Sequence, residues 1–420
     1  MANHSAQNKR PAAGRNPAPQ IAGLLAVGMG CSALPASADI PSNIAGLKAD
    51  QASLLSAFKH ACPQAAGALA LRCQQLQALN PAQQKQAIIS LTPYQFLPQT
   101  GMPIRLWPKQ VYDHSKQRLV EGYAPDAAAS GGGSGGDTFR DGPLSLMFQA
   151  KYQAGGKHLP VGGFNADAYE LTLGGDYRLS DELVVGAAFA YNHTETIMNQ
   201  DAGSMRSNIY RVMLFGDYYL PNEMYVNWLG IYTDYDNDIQ RRYGYSGFVG
   251  SASSNPDTRL FGLNATVGKN FNFDEWQLDP FVRLEYANLQ VDAYREQAGQ
   301  GLAYEASAQT DESLISVGGL QLSRVFSLSW GILTPSLRFE YEHQFLNDNR
   351  RFGLRLADAP AGTGLFFLNT GNPDRDYCNL GGSVAFGWAG GVSAFLHYET
   401  RLGQSNLSSQ IVELGLRVPF

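Results

Sequence analysis

The sequence predicts an all-β fold: a twelve-stranded antiparallel transmembrane β-barrel behind a short α-helical N-terminal region. Three observations predict it. First, apolar and polar residues alternate, about a dozen times over, with no helices between them to cover a sheet. In the closing segment, Leu414, Leu416, Val418 and Phe420 share one face, and Glu413, Gly415, Arg417 and Pro419 share the other. Strand side chains alternate across the sheet, so each segment has an apolar face backed by a charged one, as lipid outside and a polar lumen inside require. Second, the connections between the alternating segments are short and long by turns. Third, no run of 18 apolar residues exists, which excludes an ordinary helical span.

Composition agrees. The 420 residues are 44% hydrophobic and 16% charged, with 45 Gly, 21 Tyr and 21 Phe. The mean hydropathy of −0.23 is low for a helical membrane protein but suits a barrel, half of whose strand residues face the lumen. A net charge of −6 gives no basic surface for nucleic acid.

Residues 1–38 read as an export signal: Lys9, Arg10 and Arg15 precede an apolar stretch from Ile21 to Leu34, and Ala36-Ser37-Ala38 is a small-x-small cleavage site. Residues 39–107 form a different compositional block, rich in Ala, Gln and Leu. Segments 44–60 and 64–79 have helical apolar spacing (Leu47, Leu54, Leu55, Phe58), and Pro81 opens a further helix through Leu91. Cys62 and Cys73 would stand about 16 Å apart on one unbroken helix, too far for a disulfide, which needs Cα atoms within about 7 Å. Pro63 and Gly67 allow a turn between them. An exported compartment favours pairing; the alternative is two reduced, buried thiols. Residues 108–122 read as one more helix, with Lys109, Lys116 and Arg118, and 123–140 as a linker built around Gly131–Gly136.

From residue 141 onward the strands fall near 143–154, 167–179, 183–195, 204–220, 223–238, 258–272, 276–293, 308–326, 328–345, 375–388, 391–402 and 409–420. The tight links include Ser180-Asp181, Pro221-Asn222 and Phe273-Asp274-Glu275; the long ones are 155–166, 196–203, 239–257, 294–307, 346–374 and 403–408. Segregation of short turns to one rim and long loops to the other is a barrel pattern. Trp276, Trp330 and Trp388 flank short turns, where an interfacial aromatic belt belongs. Pro280 and Pro335 fall inside strands near that rim, where a bulge would tolerate them.

Residues 141–420 resemble the autotransporter β-domain, the translocator of type V secretion. The resemblance is carried by Gly175-Asp176-Tyr177-Arg178-Leu179-Ser180-Asp181, Asp279-Pro280-Phe281-Val282-Arg283-Leu284-Glu285-Tyr286, Phe339-Glu340-Tyr341-Glu342-His343, Asp374-Arg375-Asp376-Tyr377 and Gly415-Leu416-Arg417-Val418-Pro419-Phe420. It implies both barrel ends at the periplasmic rim, a helix threading the lumen ahead of the first strand, and export or display of the segment before it at the cell surface. It also implies an assembly signal in Phe420, Val418 and Leu416. The implied partners are outer-membrane lipid, periplasmic chaperones and the barrel-assembly machinery, with the barrel monomeric and no nucleic acid. The sequence departs from the family in its passenger. Only residues 39–107 are available, and they carry no β-helix repeat and no Gly-Asp-Ser-Leu esterase motif.

No enzyme, cofactor or metal site is expected. The lumen charges Glu170, Arg178, Arg283, Glu285, Arg338, Glu340, Glu399 and Arg417 read as mutually paired wall residues and as partners for the helix carrying Lys109, Lys116 and Arg118. A simple porin is the alternative. A barrel-borne hydrolase would need acid–base groups on the long-loop rim, where His193, His343, Asp234, Asp236 and Asp238 qualify by type alone.

Overall fold

The computed structural model describes residues 40, 44–94, 143–159, 162–346, 350–369, 374–388 and 391–420. The expected export signal, the helix with Lys109, Lys116 and Arg118, and the Gly-rich linker lie outside the described residues.

Twelve strands form the barrel: β1 Leu144–Lys157, β2 Phe164–Arg178, β3 Leu183–Met198, β4 Gly203–Leu220, β5 Met224–Tyr245, β6 Thr258–Lys269, β7 Trp276–Val291, β8 Gln309–Arg324, β9 Gly331–Gln344, β10 Asp376–Trp388, β11 Ser393–Leu402 and β12 Leu407–Pro419. Each pairs antiparallel with its sequence neighbour. The sheet closes where β1 meets β12, in register from Ser145↔Pro419 to Lys157↔Leu407. No edge remains, so every wall strand has a ladder on both sides, as lipid demands.

The two faces separate as the alternation predicts. On β12, Val412, Leu414, Leu416 and Phe420 are exposed, while Ser409, Ile411 and Glu413 are buried. On β1, Leu146, Phe148 and Tyr152 point outward and Ser145, Gln149, Lys151 and Gln153 inward. Many inward positions are glycine because a neighbouring ring covers them: a Cβ on Gly415 or Gly319 would run into Phe395 or Phe281.

One rim has only tight turns. The β4–β5 turn is a three-residue loop, Pro221 to Glu223 between the paired Leu220 and Met224, and its Asn222 and Glu223 take left-handed φ of 62° and 61°. Trp330, Phe386 and Trp388 stack on one another at this rim. The expected bulges are absent at the prolines. Pro280 pairs with Leu320 and Pro335 with Val384 in unbroken register. On the other side each proline falls in a ladder gap, between Gly268↔Phe281 and Phe271↔Leu278, and between Ser323↔Ser336 and Phe326↔Leu333. A missing N–H costs no ladder bond there.

The other rim differs from expectation in loop length. Strands β1 to β4 and β12 run further than their patterns show, so three connections expected to be long shrink to residues 158–163, 199–202 and 403–406. Three long loops remain, after β5, β7 and β9. They are not irregular. Residues Phe248–Ser254 pair back onto β5. Segments Tyr294–Arg295, Tyr304–Ala306, Arg351–Leu356 and Leu365–Asn369 form a separate four-stranded sheet.

Against one face of this small sheet lie three helices: α1 Ala49–Ala61, α2 Gly67–Gln77 and α3 Pro81–Leu91. Pro81 at the first turn and Asn80, whose side chain accepts from the Gln83 N–H, set the start of α3. A short 3-10 turn, Cys62–Gln64, reverses the chain, and Cys62 and Cys73 are joined by a disulfide with Cα atoms 5.5 Å apart.

Phe420 closes β12, its N–H donating to the Leu144 carbonyl at 2.9 Å, yet its ring is 61% exposed. Loss of so exposed a side chain should cost about 0.5 kcal/mol of packing. Deleting Phe420 is expected to lower the yield of assembled barrel far more than that, because assembly rather than packing uses the terminal aromatic. Unchanged membrane levels of heat-modifiable protein in the deletion strain would refute this.

Candidate functional site: lumen and mouth

The lumen wall is built of buried charges in three groups. In the first, Lys151 Nζ and Arg211 Nη1 each lie 2.9 Å from a Glu170 carboxylate oxygen, and Asn192 donates to the same group. In the second, Arg283 bridges Glu285 and Glu340, bonding the latter through both terminal nitrogens at 3.1 and 3.2 Å, and Arg338 joins Glu340. In the third, Glu342 accepts from Asn379 at 2.6 Å, and Asn379 in turn accepts from Arg401. Side chains two apart on one strand, or opposite on adjacent strands, point into the same lumen, so the pattern follows from register. A buried charge is tolerable only when paired.

The expected lumen residues therefore have wall partners. Arg417 donates to Ser145 at 2.8 Å and lies 3.8 Å from Asp176; Glu399 stands 4.0 Å from His397. Arg178, on the inward side of β2, is half-buried at the tight-turn rim. Glu170, Glu285 and Glu340 hold cations of the wall itself.

The hydrolase candidates do not converge. Asp234, Asp236 and Asp238 are on the outward side of β5, with Arg259 at 4.0 Å from Asp234. His193 on β3 bonds Asn208 at 2.9 Å. His343 on β9 bonds Asp376 at 2.7 Å, and the Tyr341 hydroxyl donates to the same carboxylate. Among the described residues no group of His, Cys, Asp or Glu side chains is arranged to hold a metal.

The mouth is a hydrophobic core shared between the helices and the long loops. Leu54, Phe58, Leu69, Leu76, Ile88 and Leu91 come from the helices; Tyr304, Phe352, Leu354, Leu356, Phe366 and Leu368 come from the loop sheet. The sheet's other face is mixed: Arg295 lies 3.0 Å from both Glu305 and Asp358, Arg351 stands over the Phe367 ring, and Leu365 is exposed. At the junction with the barrel sits Arg241, on the overhanging end of β5 and fully buried. Its Nε and Nη2 grip Glu296 at 2.8 and 2.7 Å, and Nη2 also donates to the Leu302 carbonyl. The guanidinium lies between the rings of Tyr243 and Tyr304, 4.4 and 4.2 Å from their centres. The Tyr304 hydroxyl then donates to the Leu91 carbonyl at the end of α3. Strand β5 is thus coupled to the N-terminal helices through one buried ion pair and one tyrosine, over sequence separations of 55 and 213. An open cleft of about 600 Å³ lies between Ala68 and the 295–303 loop.

A family model described as the autotransporter β-domain matches residues 149–399. The chain belongs to that family. Its barrel is an outer-membrane translocator barrel. In overall shape it is similar to the translocator domain of autotransporter NalP from Neisseria meningitidis, with a TM-score of 0.55 at 16% identity, covering 76% of this chain and 100% of that domain. The β-domain of the Bordetella autotransporter BrkA gives 0.51 at 14% identity, covering 66% and 100%. In sequence the chain is 25% identical over 268 residues to the esterase EstA of Pseudomonas aeruginosa, and equally to that of Pseudomonas putida. Those alignments cover 61% of this chain but 39% of the esterases, so the chain spans well under half of their length.

Three tyrosines of the mouth have their ionisation pushed upward by burial: Tyr243, Tyr304 and Tyr245, the last to about 12 even though Arg72 opposes the shift. A phenol whose folded value lies above its ordinary value of 10 favours folding in its neutral form. Its contribution is complete below pH 10 and lost as pH rises through the folded value. The helices are expected to stay docked to pH 10 and to loosen as pH approaches about 12, with the barrel intact, seen as loss of near-ultraviolet dichroism before loss of strand signal. Simple ionisation of all tyrosines near pH 10 would contradict this.

Proposed function

We propose that this translocator barrel exports its own short N-terminal segment and displays it at the cell surface as a disulfide-closed helical module. One observation carries the reading. The helices sit on the long-loop rim, whereas β1 begins at Leu144 and β12 ends at Pro419 on the tight-turn rim. Residues 95–142 must therefore join the two rims. As a helix these 48 residues would cover about 72 Å, more than the roughly 46 Å length of the 14-residue strand β1. A path through lipid would leave backbone groups without partners wherever the segment is not helical; the lumen, walled by charged and amide side chains, is the path that does not.

The same reading makes the tight-turn rim periplasmic and the loop rim extracellular. Outer-membrane lipid then meets the apolar outer face, periplasmic chaperones and the barrel-assembly machinery receive the unfolded chain, and the closed twelve-stranded sheet works as a monomer. It also makes the chain a carrier rather than a catalyst. The esterase activity named for the relatives belongs to those proteins, most of whose length lies outside the alignment with this one.

Removing residues 39–121 while keeping residues 1–38 is expected to raise single-channel conductance in a planar bilayer, because it empties the lumen and uncovers the mouth. Equal conductance of the full-length and truncated proteins would contradict lumen passage and favour a simple porin.

A further inference from the structure

We propose that residues 44–94 are a resident cap, for which the three long loops are a dedicated receptor, and that the cap stays seated on the barrel without its covalent tether. The proposal rests on the display reading above and goes beyond it: the displayed segment is the barrel's own latch, not a releasable passenger.

Three observations carry it. The first is the apolarity of the loops. In the loop sheet Tyr304, Leu354, Leu356, Phe366 and Leu368 are at most 1% exposed, and all are covered by the helices. Left bare, such a face would be an adhesive patch of the kind that soluble surfaces avoid. In Arg351–Leu356 the alternation puts Arg351, Gly353 and Arg355 outside and Phe352, Leu354 and Leu356 beneath the helices, and Glu305 lies outside between Tyr304 and Ala306, so this part of the covered face is built to be covered.

The second is that the helices cannot complete a core by themselves. They are 13, 11 and 11 residues long, too short to persist alone in water, and the unit falls in the size range where a separate core is marginal. The disulfide ties α1 to α2, but the other half of the core is supplied by the loops.

The third is directed bonding across the interface, which fixes one seat rather than a general adhesion. Ser90 Oγ accepts from the Gly244 N–H and Ser53 Oγ from the Phe367 N–H, each at 2.9 Å. Asp50 accepts from both the backbone and side chain of Asn369. Arg72 donates to the Gln300 carbonyl and lies 3.8 Å above the Phe248 ring. The two halves can meet only after the helices have reached the loop side. Docking therefore completes export and opposes back-sliding.

The test uses the full chain with a specific protease site inserted after Gly101, in cells that display it. Protease is added outside, cutting is confirmed on a denaturing gel, and the helical fragment is sought in washed cells and in the medium. The expected result is a cut chain whose fragment stays with the cells. In Phe58→Asp, with Tyr304→Ala as a milder second variant, the cut fragment should appear in the medium at least roughly tenfold more, while heat-modifiable barrel remains. A wild-type fragment shed on cutting would overturn the cap and leave display standing. A site that is never cut on intact cells but is cut after permeabilisation would overturn display, and the cap with it. A Phe58→Asp fragment retained as well as the wild type would also overturn the proposal, since the shared core would not be what holds it.

Discussion

The structure depends on the closure of β1 onto β12. Thirteen residue pairs, Ser145↔Pro419 through Lys157↔Leu407, remove the only two edges that a twelve-stranded sheet would otherwise present. In lipid an open edge leaves N–H and C=O groups with no partner, at several kcal/mol each. Every other feature is conditional on that ring of bonds. Closure fixes which face is outside, so Leu414, Leu416 and Phe420 meet lipid and Glu413 does not. It fixes the register that sets Lys151 opposite Glu413. It also brings the first residue of β1 and the last residue of the chain to one rim, so that whatever precedes β1 and reaches the opposite end must cross the barrel.

Polar and apolar matter are distributed on opposite principles in the lumen and at the mouth. The lumen holds many charges, and its groups are reconciled by pairing: Arg283 with Glu285 and Glu340, Arg211 and Lys151 with Glu170. A wall of this kind offers a passing chain polar partners without a sticky apolar surface. The mouth is apolar, with Arg241 and Glu296 buried in it as a single ion pair. Breaking that pair by removing one partner would strand the other in the core, which makes it a specific coupling between strand β5, the 292–308 loop and the end of α3.

The barrel was legible in the sequence because its signal is local and repeated. Alternation with period two survives any loop, and residues such as Tyr169 and Glu170 or Leu416 and Arg417 declare their faces without knowledge of their neighbours. The three helices and the Cys62–Cys73 turn were legible for the same reason. The loop sheet was not. Its strands are two to six residues long, too short to establish a period, and they read as ordinary long loops. The docking of the helices was equally hidden. Leu54 and Phe58 announce an apolar helix face, but nothing near them in sequence says that Phe366 or Tyr304 will cover it. The shortening of the 158–163, 199–202 and 403–406 connections was missed because outward residues there turn polar above the membrane, so the pattern fades while the ladder continues.

Orientation is the claim on which all the rest turns, and labelling from outside the cell measures it most directly. In a Cys378→Ser background, Lys59→Cys places a thiol on the exposed side of α1 and Asp181→Cys places one at the β2–β3 turn, both exposed positions. With a membrane-impermeant maleimide on intact cells, Lys59→Cys should label at once, and Asp181→Cys only after the outer membrane is permeabilised. Labelling of Asp181→Cys on intact cells, with Lys59→Cys protected until permeabilisation, would contradict the display of the helices at the surface and the cap built upon it.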